Sequence, residues 1–312
     1  MHMTSREIVL LAIAVLAGAC FTWFSPWFAT ADNLLTILRN SSELLLIALG
    51  MTLVIAMGGV DVSVGVVMGV AAWGIGQLLM LQSPLLAALA GPLIGLLAGL
   101  ITALVVIGRI PAIVGTLGLF GVWRTALFVL LGGQWLSGLP GDLTHALMRP
   151  LLGLPLMAWL IVAAWALVWL ALRHTPYGLW LLAAGNSEEK ARLAGIPVTQ
   201  VRVATFALSG VLCGLAATCY IATYRNVEMT VGGTLALEAI AAVVLGGTRI
   251  TGGSCSLLGT LLGVLLLRIL QNGLLLIGVP SLWQTVVTGA VLLLVLSSEA
   301  ASGRLLSLRR LA

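Results

Sequence analysis

Apolar runs long enough to cross a bilayer follow one another along almost the whole of this chain. Segments 8–31, 62–108, 150–172, 203–224 and 269–298 contain no Asp, Glu, Lys or Arg. A hydrocarbon slab about 30 Å thick takes roughly 20 helical residues to cross, so every run has room for a crossing, and the second and last have room for two. With breaks taken from Gly, Pro and charge, the pattern predicts about ten crossings, near 7–28, 41–57, 61–80, 84–107, 111–132, 154–173, 202–222, 234–247, 254–276 and 280–298. An even number returns both ends to one side. The expected fold is therefore all-α, a polytopic transmembrane helical bundle forming a single membrane domain over 1–312. The eighth crossing is short, carries Glu238 and runs into Gly246-Gly247, which reads as a broken or re-entrant segment lined by protein.

Two connections are longer than a hairpin needs. The segment 133–153, with Trp135, Pro140, Asp142 and His145, suits a lid or a docking surface on its face of the membrane. The segment 174–201 holds Lys190, the single lysine of the chain, and the Glu188-Glu189 pair. Its centre runs from Asn186 through Ala194: Asn186 offers a cap, acids fill the first turn, bases follow, and Gly195 and Pro197 end the run. A short surface helix is expected there.

Composition then excludes a soluble fold: 61% of the residues are hydrophobic, 8% are charged, and the mean hydropathy is +1.17. The net charge of +5 is dispersed rather than clustered, so it describes topology and not a nucleic-acid partner. With the N-terminus inside, ten basic residues lie inside (Arg6, Arg109, Arg173, Lys190, Arg192, Arg202, Arg249, Arg304, Arg309 and Arg310) against three outside (Arg39, Arg149 and Arg225). That bias favours an N-in, C-in arrangement with the tail from Arg304 to Arg310 facing anionic lipid. The first apolar run, with Trp23, Pro26 and Trp27 near its end, reads as a retained helix rather than a cleaved signal. Cys20, Cys213, Cys219 and Cys255 lack metal-ligand spacing and read as small buried apolar residues.

No glycine is followed by lysine, so no phosphate-binding G-x-x-x-x-G-K loop exists, and neither H-E-x-x-H nor C-x-x-C occurs. The chain is not expected to be an enzyme, and energy for uphill transport has to come from an ion gradient or a separate ATPase. The stretch from Met57 to Gly65 sets Asp61 between two apolar runs. An acid at the bilayer centre costs about 2.5–3.5 kcal/mol. Two readings stand: a broken helix whose backbone and Asp61 line a solute path, or an interfacial turn in which Asp61 caps the third helix. A second glycine-rich break, from Leu245 to Ser254, occupies a comparable place in the second half and reads either as a matched functional break or as a tight turn. Arg124 and Arg268 fall inside predicted helices and should point into the bundle or snorkel, with Glu43 and Glu238 as candidate partners. Gly91/Gly95/Gly99 and Gly259/Gly263 suit close helix packing.

Four ordered motifs carry a resemblance: Gly50-Met51-Thr52-Leu53-Val54-Ile55 leading into Gly58-Gly59-Val60-Asp61-Val62-Ser63-Val64-Gly65; Ile110-Pro111-Ala112-Ile113-Val114-Gly115-Thr116-Leu117-Gly118; Gly185-Asn186 through Ala194-Gly195-Ile196; and Ala241 through Gly253 with Gly259-Thr260. With them the chain resembles the permease subunits of bacterial ABC importers for ribose, other monosaccharides and autoinducer-2. Within that family Arg124 and the stretch from Gly132 to Pro140 look most like autoinducer-2 permeases, with rhamnose-type permeases next. The resemblance implies the ABC importer permease fold in the bacterial inner membrane, a second permease subunit, two ATPase subunits inside that use ATP and Mg, and a periplasmic solute-binding protein. No cofactor or metal bound by this chain is implied. It makes Asn186, Glu188, Glu189, Lys190, Arg192, Leu193 and Gly195 the ATPase-coupling residues. It places Gly58, Gly59, Asp61, Ser63, Thr116, Gly246 and Gly247 along the translocation pathway or its gate. Cys255 departs from the family, which usually has Gly there. The competing reading is an ion-coupled secondary transporter using Asp61, Glu43 and Glu238.

Overall fold

The computed structural model describes residues 4–108 and 110–280, with 283, 286, 287, 289 and 290. The expected tenth crossing, Arg109, and the tail from Arg304 to Arg310 lie wholly or largely outside the described residues. Within them the chain forms α1 (Ser5–Phe24), α2 (Ala31–Ala56), α3 (Val64–Met80), α4 (Pro84–Ile107), α5 (Ala112–Leu131), α6 (Asp142–Met148), α7 (Leu156–His174), α8 (Pro176–Asn186), α9 (Glu188–Leu193), α10 (Val198–Tyr224), α11 (Leu235–Leu245) and α12 (Leu257–Leu276). A two-stranded antiparallel hairpin, β1 (Pro150–Leu151) and β2 (Leu154–Pro155), sits between α6 and α7.

Among the described residues seven helices are long and apolar enough to span a membrane: α1, α2, α4, α5, α7, α10 and α12. Two further apolar helices, α3 with 17 residues and α11 with 11, match predicted crossings but are shorter. At 1.5 Å per residue α11 covers about 16 Å, roughly half of the hydrocarbon slab. The short eighth crossing expected from Glu238 and Gly246-Gly247 is thus a half-helix. The twelve helices of the described residues exceed the nine expected there because α6, α8 and α9 occupy the two long connections. Only α9 was anticipated as a surface helix; α8 is apolar but too short to cross, which length alone could not assign to the surface.

Local chemistry explains the ends. Thr4 and Glu7 form a reciprocal capping box on α1, Thr30 accepts from the Asn33 N–H to start α2, and Ser256 accepts from the Gly259 N–H to start α12. With the Thr30 cap α2 begins ten residues before the expected start at position 41. Pro84 opens α4, where its missing N–H has no partner to lose.

α2 is the axis of the bundle, with Leu44 through Ala56 buried on all sides. α4 and α10 pack backbone to backbone. A Cβ on Gly95 would lie 2.1 Å from the Gly210 carbonyl oxygen, and one on Gly214 would lie 2.0 Å from that of Gly91. The glycine spacing read as a packing stripe on α4 is therefore matched by Gly210 and Gly214 of α10. Gly259 and Gly263 of α12 do the same against Gly246 and Ala242.

Candidate functional site

At one end of the bundle three separate stretches of chain close into a knot. The C-terminus of α2 offers the Ala56 carbonyl, which accepts from the Gly253 N–H at 2.9 Å. Gly185, near the end of α8, lies so close that an added Cβ would stand 2.0 Å from the Ala56 oxygen and 2.7 Å from the Gly253 nitrogen. A Cβ on Gly252 would meet the Gly185 oxygen at 2.6 Å. The first glycine break, the second break and the entry to α9 thus touch each other. The N-terminus joins the same end: Arg6 donates to the Val244 carbonyl at 2.9 Å and the Ser256 hydroxyl donates to Glu7 at 2.5 Å. These contacts agree with the sidedness drawn from the basic residues, since every stretch involved was assigned to the inside.

α9 projects from this knot. Asn186 does not cap it: Asn186 is the last residue of α8, and the cap is Ser187, whose hydroxyl accepts from the Lys190 N–H. The chain has to leave helical geometry at Ser187 (φ −162°) between two helices, and the side chain at that position is the one aimed at the free N–H groups. Gly195 ends the helix with φ +78°, a left-handed conformation in which side-chain-bearing residues are strained. Ala191 packs with Ala184 and Val198 beneath the helix, whereas Glu189, Lys190, Arg192 and Leu193 are exposed. Leu193 is 83% exposed.

Glu188 takes a different role from the other acids. Its carboxylate receives Arg192 at 2.7 Å and Arg202 of α10 at 2.7 Å. The Arg192 hydrogen bond, with that of Arg202 behind it, holds the Glu188 carboxyl below its ordinary range against the opposing effect of burial. Glu188 therefore bolts α9 to α10, and the Tyr177 and Thr205 hydroxyls, 2.9 Å apart, bolt α8 to the same helix. A cavity of about 640 Å³ opens beside this joint, lined among others by Gly58, Gly59, Pro111, Glu188, Arg192 and Arg202.

Deeper in, the break before α3 is a built turn. The buried Asp61 carboxylate accepts from the Ser63 N–H at 2.9 Å and from its hydroxyl at 2.6 Å. Asp61 thus turns the chain just ahead of α3, and the first α3 residues carry no side-chain cap. Thr116 of α5 lies across the break: its hydroxyl donates to the Val60 carbonyl and accepts from the Val62 N–H, both at 3.2 Å. Asp61, Ser63 and Thr116 are consequently one unit. On the far side of α3, Gly65 meets Gly232 so closely that a Cβ would stand 2.0 Å from the Gly232 oxygen. The segment 225–234 therefore descends from the end of α10 to the start of α3 before α11 begins. Arg124 of α5 holds it there, donating to the carbonyls of Met229 at 2.6 Å and Val231 at 3.3 Å.

Gly246 and Gly247 do not join this unit. Gly246 packs against Gly259 and Thr260 of α12, and Gly247 (φ +97°) faces the Arg6 side chain. The second break is a joint between α1, α11 and α12. Its Cys255 is partly exposed, unlike the fully buried Cys213 and Cys219, and Cys20 is also exposed, against the expectation of uniform burial. Among the described residues no group of three or more His, Cys, Asp or Glu is arranged to hold a metal.

The intramembrane charges find the partners expected for Arg268: Glu43 at 3.7 Å and Glu238 at 3.4 Å. What sequence reasoning missed is that they extend a polar seam. Asn33 of α2 and Asn272 of α12 are hydrogen-bonded at 3.0 Å, and Arg268 donates to Gln271 at 2.6 Å. The signal was present as polar residues at helical spacing in apolar surroundings: Arg268, Gln271 and Asn272 on α12, and Asn33, Asn40 and Glu43 on α2.

Residues 33–296 match the family described as branched-chain amino acid transport system, permease component. The chain is 34% identical to the autoinducer 2 import system permease protein LsrC of Shigella flexneri, over 94% of this chain and 86% of that one. It is 35% identical to the ribose import permease protein RbsC of Escherichia coli strain K12, over 91% and 90%. Identity to the RbsC of Bacillus subtilis strain 168 is 37%, over 86% and 85%. No solved structure matches the chain.

Proposed function

The chain belongs to this family of transport-system permeases, and from that premise we propose that it is the translocation subunit of an ATP-driven, binding-protein-dependent importer in the bacterial inner membrane. Its cargo in this reading is autoinducer 2 or ribose, in keeping with the names of its relatives, or another monosaccharide such as rhamnose. The ATPase subunits consume ATP and Mg, a second permease subunit completes the pathway, and a periplasmic protein delivers the solute.

The observation that carries the reading is α9. A six-residue helix that leaves a leucine 83% exposed beside Glu189 and Lys190 presents a docking knob at the surface. The same helix is fastened to α10 through Glu188 and Arg202, and α10 is fastened backbone to backbone to α4. Force applied to α9 therefore has a route to the middle of the bundle through the Glu188–Arg202 pair and the α4–α10 contact. The chain's own sequence offers no phosphate-binding loop, so in this reading the force comes from a separate ATPase.

Reconstitution tests this. In vesicles with its ATPase and binding protein, the wild type should import cargo on ATP, and Glu189→Lys with Lys190→Glu should abolish uptake and binding-protein-stimulated ATP hydrolysis while the protein stays folded. Undiminished uptake by the charge-reversed variant contradicts the coupling role. Accumulation by the permease alone on a proton or sodium gradient contradicts the whole reading in favour of an ion-coupled transporter.

A further inference from the structure

The cavity of about 640 Å³ at the joint of α9 and α10 combines two kinds of lining: the charged Glu188, Arg192 and Arg202, and the apolar Ile107, Ile110 and Phe206. Glu188 spends both oxygens on the arginines. Oε1 accepts from Arg192 Nε at 3.2 Å and Nη2 at 2.7 Å, and Oε2 accepts from Arg202 Nη2 at 2.7 Å. A guanidinium has more N–H donors than this arrangement uses. Arg192 Nη1 and Arg202 Nε and Nη1 are left over, with no acceptor among the described residues. The Arg202 side chain is only 20% exposed, so its spare donors have already lost much of their water. Two guanidiniums against one carboxylate leave the lining with an excess of positive charge.

The apolar part of the lining comes from the end of α4 and the start of α5. At those same ends Leu104, Ile110 and Ile113 stand 70%, 42% and 54% exposed, a surface that suits acyl chains. The basic-residue bias assigns this end of the bundle to the inside, where the leaflet carries anionic headgroups and basic pockets between membrane helices attract them. At about 30 Å³ per water the cavity holds roughly twenty waters. That is room for a phosphate with its glycerol and the first carbons of its chains.

The lining selects the occupant. A cation meets two guanidiniums, a neutral molecule leaves the excess charge unanswered, and a small soluble anion makes no use of the apolar wall. A phosphate with an apolar tail answers both. We propose that the cavity seats the headgroup of an anionic inner-leaflet phospholipid, its phosphate oxygens accepting from the spare donors of Arg192 and Arg202 while its chains leave along the ends of α4 and α5. Gly58 and Gly59 line the same cavity, so the lipid sits between α9 and the first glycine break and ties the surface helix to the membrane. The proposal needs only the membrane assignment, and failure of the importer reading leaves it standing.

The test uses the purified full-length chain in vesicles of phosphatidylcholine with and without phosphatidylglycerol. Wild type should carry phosphatidylglycerol in preference to phosphatidylcholine through detergent extraction, read by native mass spectrometry, and hydrogen exchange across residues 187–195 should slow when phosphatidylglycerol is present. Ile110→Glu sets a carboxylate in the wall without touching either arginine, and Ile110→Gln is its uncharged control. The glutamate variant should retain about fivefold less phosphatidylglycerol than the glutamine variant, the factor for one charge beside an anionic lipid. Arg192→Gln, which leaves the Glu188–Arg202 pair in place, should lose about as much and decides the matter where Ile110→Glu does not fold. Equal retention of the two lipids by wild type overturns the proposal, and so does equal retention of phosphatidylglycerol by the two Ile110 variants. If glycerol 3-phosphate added to phosphatidylcholine vesicles slows exchange as much as phosphatidylglycerol does, the cavity takes a soluble phosphate and the lipid assignment fails.

Discussion

Single side chains decide whether the surface helix is a rigid lever. Glu188 serves two arginines, one on its own helix and one on α10, so its loss frees α9 from the bundle as well as from itself. Glu188→Gln is expected to raise hydrogen exchange across residues 187–195 and to lower coupled uptake several-fold, while the helix–helix core is untouched. The same carboxyl supplies a pH dependence. Its pKa in the folded protein lies below the ordinary value, so its contribution is fully present above the usual glutamate pKa of about 4.3 and is lost as the pH falls through the depressed value. Exchange protection of α9 should therefore be flat from pH 8 to pH 5, about the range left unaffected by that titration, and should fall only at more acidic pH. The group is partly solvated, so the effect is local and modest. Asp61 shows how residue chemistry and position combine: both sequence readings anticipated a break, and its two hydrogen bonds to Ser63 are those of a turn, yet the turn is buried and tied by Thr116 to another helix.

Elements meet through glycine where backbone has to approach backbone. Gly210→Leu in α10 forces a side chain into the space of the Gly95 carbonyl, 2.1 Å from where its Cβ would stand. Overpacking of this kind costs about 1–3 kcal/mol or more, so the variant should yield little monodisperse protein in detergent. Gly118→Leu in α5 is the matched control, since nothing lies within 4 Å of a Cβ there, and it should purify like the wild type. The motif on α4 was legible because Gly91, Gly95 and Gly99 repeat at one helical face. The partner glycines were not, because nothing in a linear pattern says which helix lies opposite. Helix lengths behaved in the same way: crossings were visible as uncharged runs, whereas α8 and α11, eleven residues each, are as apolar yet reach only about half-way across.

Across the whole molecule, stretches far apart in sequence converge on two levels. One is the knot of Ala56, Gly185 and Gly253 beneath α9. The other is the meeting of Gly65 with Gly232, held by Arg124 on the carbonyls of Met229 and Val231. Arg124→Ala should release the descending segment 225–234, lowering uptake about tenfold or more for the charge-assisted hydrogen bonds lost. On the proposed coupling role, binding of an ATPase at α9 should remain normal, which a co-purification assay reads directly. Sequence by itself determined the helical membrane bundle and the short helix α9, because hydrophobic length and capping chemistry act over a few neighbouring residues. It also singled out Gly58 and Asp61 by their unusual context, and Thr116 and Gly185 through the family resemblance. Only the tertiary structure decided that Asp61, Ser63 and Thr116 form one unit while Gly246 and Gly247 serve a joint with α1 and α12. The same holds for the α10 side of the α4 contact and for the polar seam around Arg268. The physical reason is that such contacts depend on which helix faces which, and in a membrane every apolar face suits lipid and protein nearly equally, so hydrophobic pattern cannot choose the partner.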